Sequence, residues 1–162
     1  MSRRPVAEGT APPLDEEDRQ ILRLLQVDST RPLDRVAAKV GLSKTTVWNR
    51  IQRMYASGVI LRQAVIVDPQ KIGLAETFFV TIRTNRHNDE WWKQFLAVIY
   101  EFPEIIEAHR MAGHIDYLLK VQVQSTGAFD QFYKRLVAKI DLHDVTSNLS
   151  MEIMKHETAL PI

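Results

Sequence analysis

Between Val40 and Val67 the chain carries four cations, Lys44, Arg50, Arg53 and Arg62, and no carboxylate. Among them stand Ser43, Thr45, Thr46 and Asn49, which donate and accept hydrogen bonds without charge. This mixture suits a polyanion. Lys and Arg neutralise phosphates, Asn matches the edge of adenine, and Arg matches guanine or a phosphate. Four cations in such a stretch also arise by chance, so the elements that hold them must decide.

Gly41-Leu42-Ser43 reads as a tight turn between two helices. Glycine suits the left-handed position that closes one helix, and a serine oxygen accepts a backbone N–H at the start of the next. From Lys44 to about Ser57 the spacing predicts a helix with Val47, Ile51 and Met54 on its core face. That leaves Lys44, Thr45, Thr46, Asn49, Arg50 and Arg53 off the core face. Trp48, next to Val47, is expected to pack against the first helix. A first helix lies in LDEEDRQILRLLQVD, where Leu14, Asp18, Ile21, Leu22 and Leu25 recur at helical spacing behind an acidic first turn. A second runs from about Leu33 to Val40 behind Pro32. VILRQAVIV, residues 59–67, is rich in Val and Ile and reads as a strand, with Arg62 placed to meet a phosphate. Three helices, a three-residue turn and a strand make a winged helix-turn-helix over residues 14–67.

The rest of the 162 residues narrows the function classes. Residues 1–68 hold eleven Lys/Arg and eight Asp/Glu, net +3; residues 69–162 hold ten and twelve, net −2. Cysteine is absent, which excludes disulfides, thiol catalysis and thiolate-held zinc. No apolar run is long enough to span a membrane, and MSRRPVAEGTAPP has no apolar stretch behind its arginines, so a cytoplasmic protein without a membrane partner is expected. Residues 1–13, with three prolines, read as a disordered tail. The five histidines include no H-E-x-x-H pair, and no G-x-G-x-x-G, Walker or G-x-S-x-G loop occurs. Glu104 and Glu107 read as a solvated face. No catalytic residues, metal or cofactor are expected, and the chain does not read as an enzyme.

DPQKIGL, residues 68–74, marks a linker. Beyond it, residues 75–162 give a strand (75–84), a helix (88–102) with Trp92, Phe95, Leu96 and Ile99 as its stripe, strands at 105–112 and 116–123, a helix (126–140) and a strand (145–154). That order is a ferredoxin-like βαββαβ domain. Its two helices cover one sheet face. The alternation of Leu119, Val121 and Val123 with Leu118, Lys120 and Gln122 leaves the other face mixed, as an interface would be. The loop around Gly113 offers backbone N–H groups to a carboxylate and Asp116 to an ammonium. On the residues alone, a plain hairpin turn satisfied by Asp116 is the simpler account.

In sum an α+β protein is expected: an N-terminal winged helix-turn-helix followed by a ferredoxin-like βαββαβ domain. In order and spacing, LDEEDRQILRLLQVD, GLSKTTVWNRIQRM, SGVI, DPQKIGL, FPEIIEAHRMAGHIDYLLKV and ETALPI resemble the Lrp/AsnC (leucine-responsive/asparagine-regulator, feast/famine) transcriptional regulators from Leu14 onward. The resemblance implies a non-enzymatic regulator that binds double-stranded DNA through Ser43, Lys44, Thr45, Thr46, Asn49, Arg50, Arg53 and Arg62. It implies an amino acid or related metabolite bound by Ala112, Gly113, His114 and Asp116, with Thr146, Ser147 and Asn148 supplied by a neighbouring subunit. It also implies a homodimer assembling to a tetramer or octamer. The chain departs from the family pattern in three places: Lys44-Thr45-Thr46 stands for Pro-Thr-Pro, Ala112-Gly113 for Thr-Gly, and Ser147-Asn148-Leu149 for Ser-Ser-Phe. The competing reading is a metabolite-binding assembly protein whose helical domain no longer binds DNA. The acid-free stretch around Lys44 argues against it.

Overall fold

Helix α1, Glu16–Val27, begins where Asp15 and Asp18 cap each other. The Asp18 N–H donates to the Asp15 side chain at 2.8 Å, and the Asp15 N–H donates back to the Asp18 carboxylate at 3.4 Å. This reciprocal cap satisfies two of the N–H groups that a helix start leaves open. Helix α2, Leu33–Val40, ends at Gly41, whose φ of 70° is the left-handed conformation that glycine adopts without steric cost. Two residues later Ser43 accepts from the Thr46 N–H at 3.1 Å and opens helix α3, Lys44–Ala56. Ile21 and Leu22 of α1, Val36 and Ala37 of α2, and Val47, Ile51 and Met54 of α3 close around one core.

The computed structural model describes residues 13–86 and 88–162. Of the tail expected over residues 1–13, all but Pro13 lies outside the described residues, as does His87. The chain divides into two compact units: the described residues up to Val65 together with Lys155–Ile162, and Ile66–Met154.

The first unit departs from the sequence reading in two ways. No strand forms over 59–67, so the wing is missing from the described chain. Val59 and Ile60 pack on the helical core, but Leu61 and Val65 are 87% and 86% exposed. A strand needs a neighbour for its backbone groups, and among the described residues none pairs with this segment. The second departure is the tail. Residues 155–162, expected in the second domain, pack on α1. The Gln26 amide both donates to the Leu160 carbonyl (3.2 Å) and accepts from the Leu160 N–H (2.6 Å). Arg23 Nε donates to the Ile162 carbonyl at 2.6 Å, and the Ile162 side chain joins the helical core.

The second unit is a four-stranded sheet with two helices. Its elements are β1 (Glu76–Arg83), α4 (Asp89–Glu101), β2 (Ile105–Arg110), β3 (Tyr117–Val123), α5 (Thr126–Lys139) and β4 (Asp144–Leu149). The order across the sheet is β2-β3-β1-β4, every neighbouring pair antiparallel, as a ferredoxin-like βαββαβ unit requires. A 3₁₀ turn, Gln70–Ile72, occupies the expected linker and belongs to this unit. Phe78, Val80 and Ile82 of β1 stand beside Val121, Leu119 and Tyr117 of β3, so one face carries all six against the helices. Phe95 of α4 and Phe132 and Leu136 of α5 fill the middle without exposure, each contributing about 2 kcal/mol by leaving water.

Helix α4 turns a different stripe inward from the one expected. Trp91, Phe95, Val98 and Phe102 are buried, whereas Trp92 and Ile99 are only partly so. Both stripes have helical spacing; the Trp91 indole decides between them by stacking on Phe95 and donating to the Asp141 carbonyl at 3.1 Å. Strand β4 stops at Leu149, not at 154. Leu149 pairs with Phe78, the Ser150 N–H donates to the Thr77 carbonyl, and β1 then ends.

The Gln26 contacts with Leu160 are solvent-facing and together hold the tail. Replacing Gln26 by Ala removes about 1 kcal/mol of net hydrogen bonding. Hydrogen exchange should then show the Leu160 amide opening about fivefold more often, with the Val80 amide of the second unit unchanged.

Candidate nucleic-acid interface and effector loop

The outer surface of α3 divides into neutral and charged parts with different surroundings. Lys44, Thr45, Thr46, Trp48, Asn49 and Gln52 are exposed. The Ser43 and Thr46 hydroxyls lie 2.7 Å apart and share one hydrogen bond, so both serve the cap. Lys44 Nζ sits 3.1 Å from Asp34 Oδ1, with both side chains largely in water. Such a pair is weak and yields readily to a phosphate.

The two arginines of α3 are held otherwise. Asp18 lies on the inner face of α1 with no exposed surface. Its Oδ1 accepts from Arg50 Nη1 at 2.9 Å and its Oδ2 from Arg53 Nη2 at 2.5 Å. Arg50 Nη1 also donates to Asp15 Oδ2 at 2.5 Å, and Nη2 lies 3.6 Å from Glu17. The Arg50 side chain keeps only 21% of its exposure. A buried carboxylate needs opposite charge and saturated hydrogen bonds, and α3 supplies both. Arg50 and Arg53, expected off the core face, bind α3 to the capped start of α1, and Arg53 still keeps half of its side chain in water. Hydrogen bonds from Arg50 and from the Asp18 N–H pull the Asp15 carboxyl down to about 2. Hydrogen bonds to the Asp15 and Asp18 carboxylates raise Arg50 further above its ordinary value.

Trp48 also departs from expectation. It is 52% exposed and has no place in the helical core. Gln52, one turn further on, is exposed and was not singled out from the sequence. Arg62 is exposed on the unpaired segment after α3. The sequence did hold a signal for the arginines' role. A carboxylate at Asp18, within the apolar spacing of α1, calls for a cation from another element.

The second candidate region lies at one end of the sheet. Ala112, Gly113 and His114 are exposed in the loop joining β2 to β3, and Gly113 has a φ of 143°. Asp116 anchors that loop. Its carbonyl accepts from the Met111 N–H, its N–H donates to the Ile82 carbonyl, and its Oδ2 accepts from the Thr84 N–H at 2.8 Å. One carboxylate oxygen is thus committed to backbone. Thr146, Ser147 and Asn148 are exposed on β4, opposite Thr81, Val80 and Phe79. Strand β1 separates β4 from β3, a gap of two strand spacings, roughly 10 Å. One chain does not bring the loop and these three residues together. Among the described residues, no group of three or more His, Cys, Asp or Glu is placed to hold a metal ion, and no helix is long and apolar enough to cross a membrane.

The sequence pattern of the AsnC-type helix-turn-helix domain matches residues 14–55, and that of the Lrp/AsnC ligand binding domain matches residues 77–160. The glutamate uptake regulatory protein of Zymomonas mobilis is 47% identical over 149 residues, covering 92% of this chain and 91% of that protein. The DNA-binding transcriptional activator DecR of Escherichia coli is 45% identical over 150 residues, covering 92% and 99%. Among solved structures, an AsnC family transcriptional regulator from Agrobacterium tumefaciens shares 50% identity with a TM-score of 0.88, over 91% of this chain and 97% of that one. A transcriptional regulator from Neisseria meningitidis in complex with L-methionine shares 25% identity with a TM-score of 0.87, over 92% and 97%.

Replacing Asp18 by Ala leaves two guanidinium groups without their shared acceptor. Urea unfolding followed by circular dichroism should show a loss of about 3 kcal/mol, the low end for breaking a buried ion pair because Arg53 retains water. Asp15 sets a pH dependence. Its carboxyl is depressed in the fold, so its stabilisation is complete above the ordinary value of 3.8 and is lost as pH falls toward 2. Asp15→Asn should flatten the acid limb of the stability profile in that window.

Proposed function

The chain belongs to the Lrp/AsnC family of transcriptional regulators, and on that premise we propose that it is a sequence-specific DNA-binding regulator whose second unit senses an amino acid or a close relative. The observation that carries the DNA half is the outer face of α3, exposed, free of acid and presented behind the Gly41–Ser43 turn. In this reading α3 enters the major groove of double-stranded DNA. Ser43 and Thr46 hold the helix start, where backbone N–H groups favour phosphate. Lys44 exchanges Asp34 for a phosphate, Arg62 meets another, and Thr45 and Asn49 face the bases. Arg50 and Arg53 keep α3 at its angle to α1.

The sensing half rests on the loop Ala112, Gly113, His114 and Asp116, with Thr146, Ser147 and Asn148 contributed by a second copy. The separation of the two groups within one chain supports a site completed between subunits. So does the exposed apolar run of Leu61, Val65 and Ile66, which a partner would cover. The Neisseria meningitidis regulator bound to L-methionine and the Zymomonas mobilis regulator of glutamate uptake support an amino-acid-type effector. The chain acts as a homodimer, assembling to a tetramer or octamer, in the cytoplasm with its DNA. It uses no cofactor and no membrane partner. A dimer presents two α3 helices, so its operator is roughly palindromic, with half-sites about one helical turn or a multiple apart.

Selection of binders from a random duplex library, followed by fluorescence anisotropy over a salt series, tests the DNA half. Lys44→Ala should weaken every duplex alike and flatten the log–log salt slope by about 0.9 per subunit, about 1.8 for the dimer. Absence of any enriched sequence would overturn that half. Sedimentation and operator affinity measured with each of the twenty amino acids test the other half; no change with any of them would overturn sensing.

A further inference from the structure

On the reading of α3 as the DNA-entering helix, we propose that its base-reading edge is the uncharged stripe Trp48, Asn49 and Gln52, with the Trp48 indole packed on thymine methyl groups. Beyond Lys44 and Thr45 at its start, the stripe is what the body of α3 has left to present, with Tyr55 packed on the helical core. Val47, Ile51 and Met54 are in the core, Ser43 and Thr46 form the cap, and Arg50 and Arg53 are bound to Asp18. For either arginine to reach a base it must give up its hydrogen bond to a carboxylate that has no exposed surface, leaving that carboxylate with the other arginine alone. Stripping one partner from a buried carboxylate works against whatever a base contact returns.

Trp48 has no structural explanation of its own. Half of it is in water, its indole N–H donates to nothing among the described residues, and the aromatic stacking pairs there all belong to the second unit. An open tryptophan is the residue type that dominates binding surfaces. It projects from the same side of the helix as two carboxamides. Asn49 follows it directly and Gln52 lies one turn beyond. Each carboxamide pairs with adenine N6 and N7, and an apolar side chain fits the thymine methyl. All three side chains therefore favour A·T pairs. Four residues of helix advance about 6 Å, close to two base-pair steps of about 3.4 Å. The stripe thus matches A·T pairs within two steps of each other in each half-site. Its occupant is the major groove of B-DNA, about 12 Å wide and matched to a helix. The absence of any acid between Val40 and Val67 suits that groove and its flanking phosphates.

The test uses the full chain and the operator obtained by selection. Anisotropy compares that duplex with one in which deoxyuridine replaces thymidine in the half-sites, removing only the methyl groups, and with a non-operator duplex. The wild-type protein should lose roughly 5- to 10-fold on the deoxyuridine duplex, at the lower end of single base-contact effects. Trp48→Ala should lose a comparable factor on the thymidine duplex and show no further loss on methyl removal. Gln52→Ala should narrow the ratio between operator and non-operator binding. A wild-type protein indifferent to the methyls overturns the assignment of Trp48 and leaves DNA binding standing. A Trp48→Ala loss equal on operator and non-operator duplexes, or one accompanied by a changed sedimentation coefficient, does the same and places Trp48 against phosphate or another copy. A wild-type protein that binds no duplex overturns the DNA reading itself and this inference with it.

Discussion

The arrangement of the helical unit turns on one buried carboxylate. Asp18 has no exposed surface, yet it completes the cap of α1 and holds both arginines of α3. Apolar contacts bring helices together with little preference for angle, because hydrophobic attraction has no direction. A carboxylate bound on both oxygens has a strict one. With Arg50 and Arg53 a turn apart on α3, Asp18 is met by both only if α3 lies at one rotation and one crossing of α1. The charges do little for net stability beyond satisfying each other. What they provide is orientation of the helix whose outer face carries Trp48, Asn49 and Gln52.

Features governed by neighbours in sequence were legible from sequence. The Gly41 turn, the Ser43 cap and the core positions Val47, Ile51 and Met54 depend on residues within one or two turns, and each stands where its spacing places it. The βαββαβ order was legible for the same reason, since each strand and helix has its own period. Features that depend on a distant partner were not. The ion pairs of Arg50 and Arg53 were hidden because helical periodicity says which way a side chain points but not what waits there. Residues 59–67 have strand composition, but strands need partners and the chain supplies none among its described residues. Trp91 and Trp92 offered two inward stripes that periodicity could not rank; a hydrogen bond to Asp141 ranks them. The placement of Leu160 and Ile162 on α1 had no local signal at all.

The second unit shows the same limit at the scale of a sheet. One face is closed by α4 and α5. The other carries a mixture: the buried Thr77–Gln122 hydrogen bond, the Lys120–Glu107 ion pair at 2.8 Å, and Phe79 partly open. Lys120 holds the Glu107 carboxyl below its ordinary range. The polar groups of this face are fixed rather than free. The loop at Gly113 and the residues of β4 lie on different strands of this sheet with β1 between them. No rotamer change within one chain closes a gap of roughly 10 Å. If these groups share a ligand, a second copy brings them together, and the ligand then reports on assembly by the geometry alone.

A division of labour follows for α3. Most of its formal charge is spent internally: two of its three cations face acids of α1, and only Lys44, in a weak surface pair, is available to phosphate. The side chains left to face a groove are neutral. Neutral amides and an indole gain little from a phosphate backbone and much from a matching base edge, because their hydrogen bonds and apolar contacts depend on position rather than on distance alone. A helix built this way trades general attraction for selectivity. On the proposed reading, the general attraction comes from Lys44, from Arg62 and from the doubling of both in a symmetric pair. Assembly and recognition are then linked without any conformational wire between them. In the proposed pair, two units joined at the correct spacing have twice the cations and a shared register.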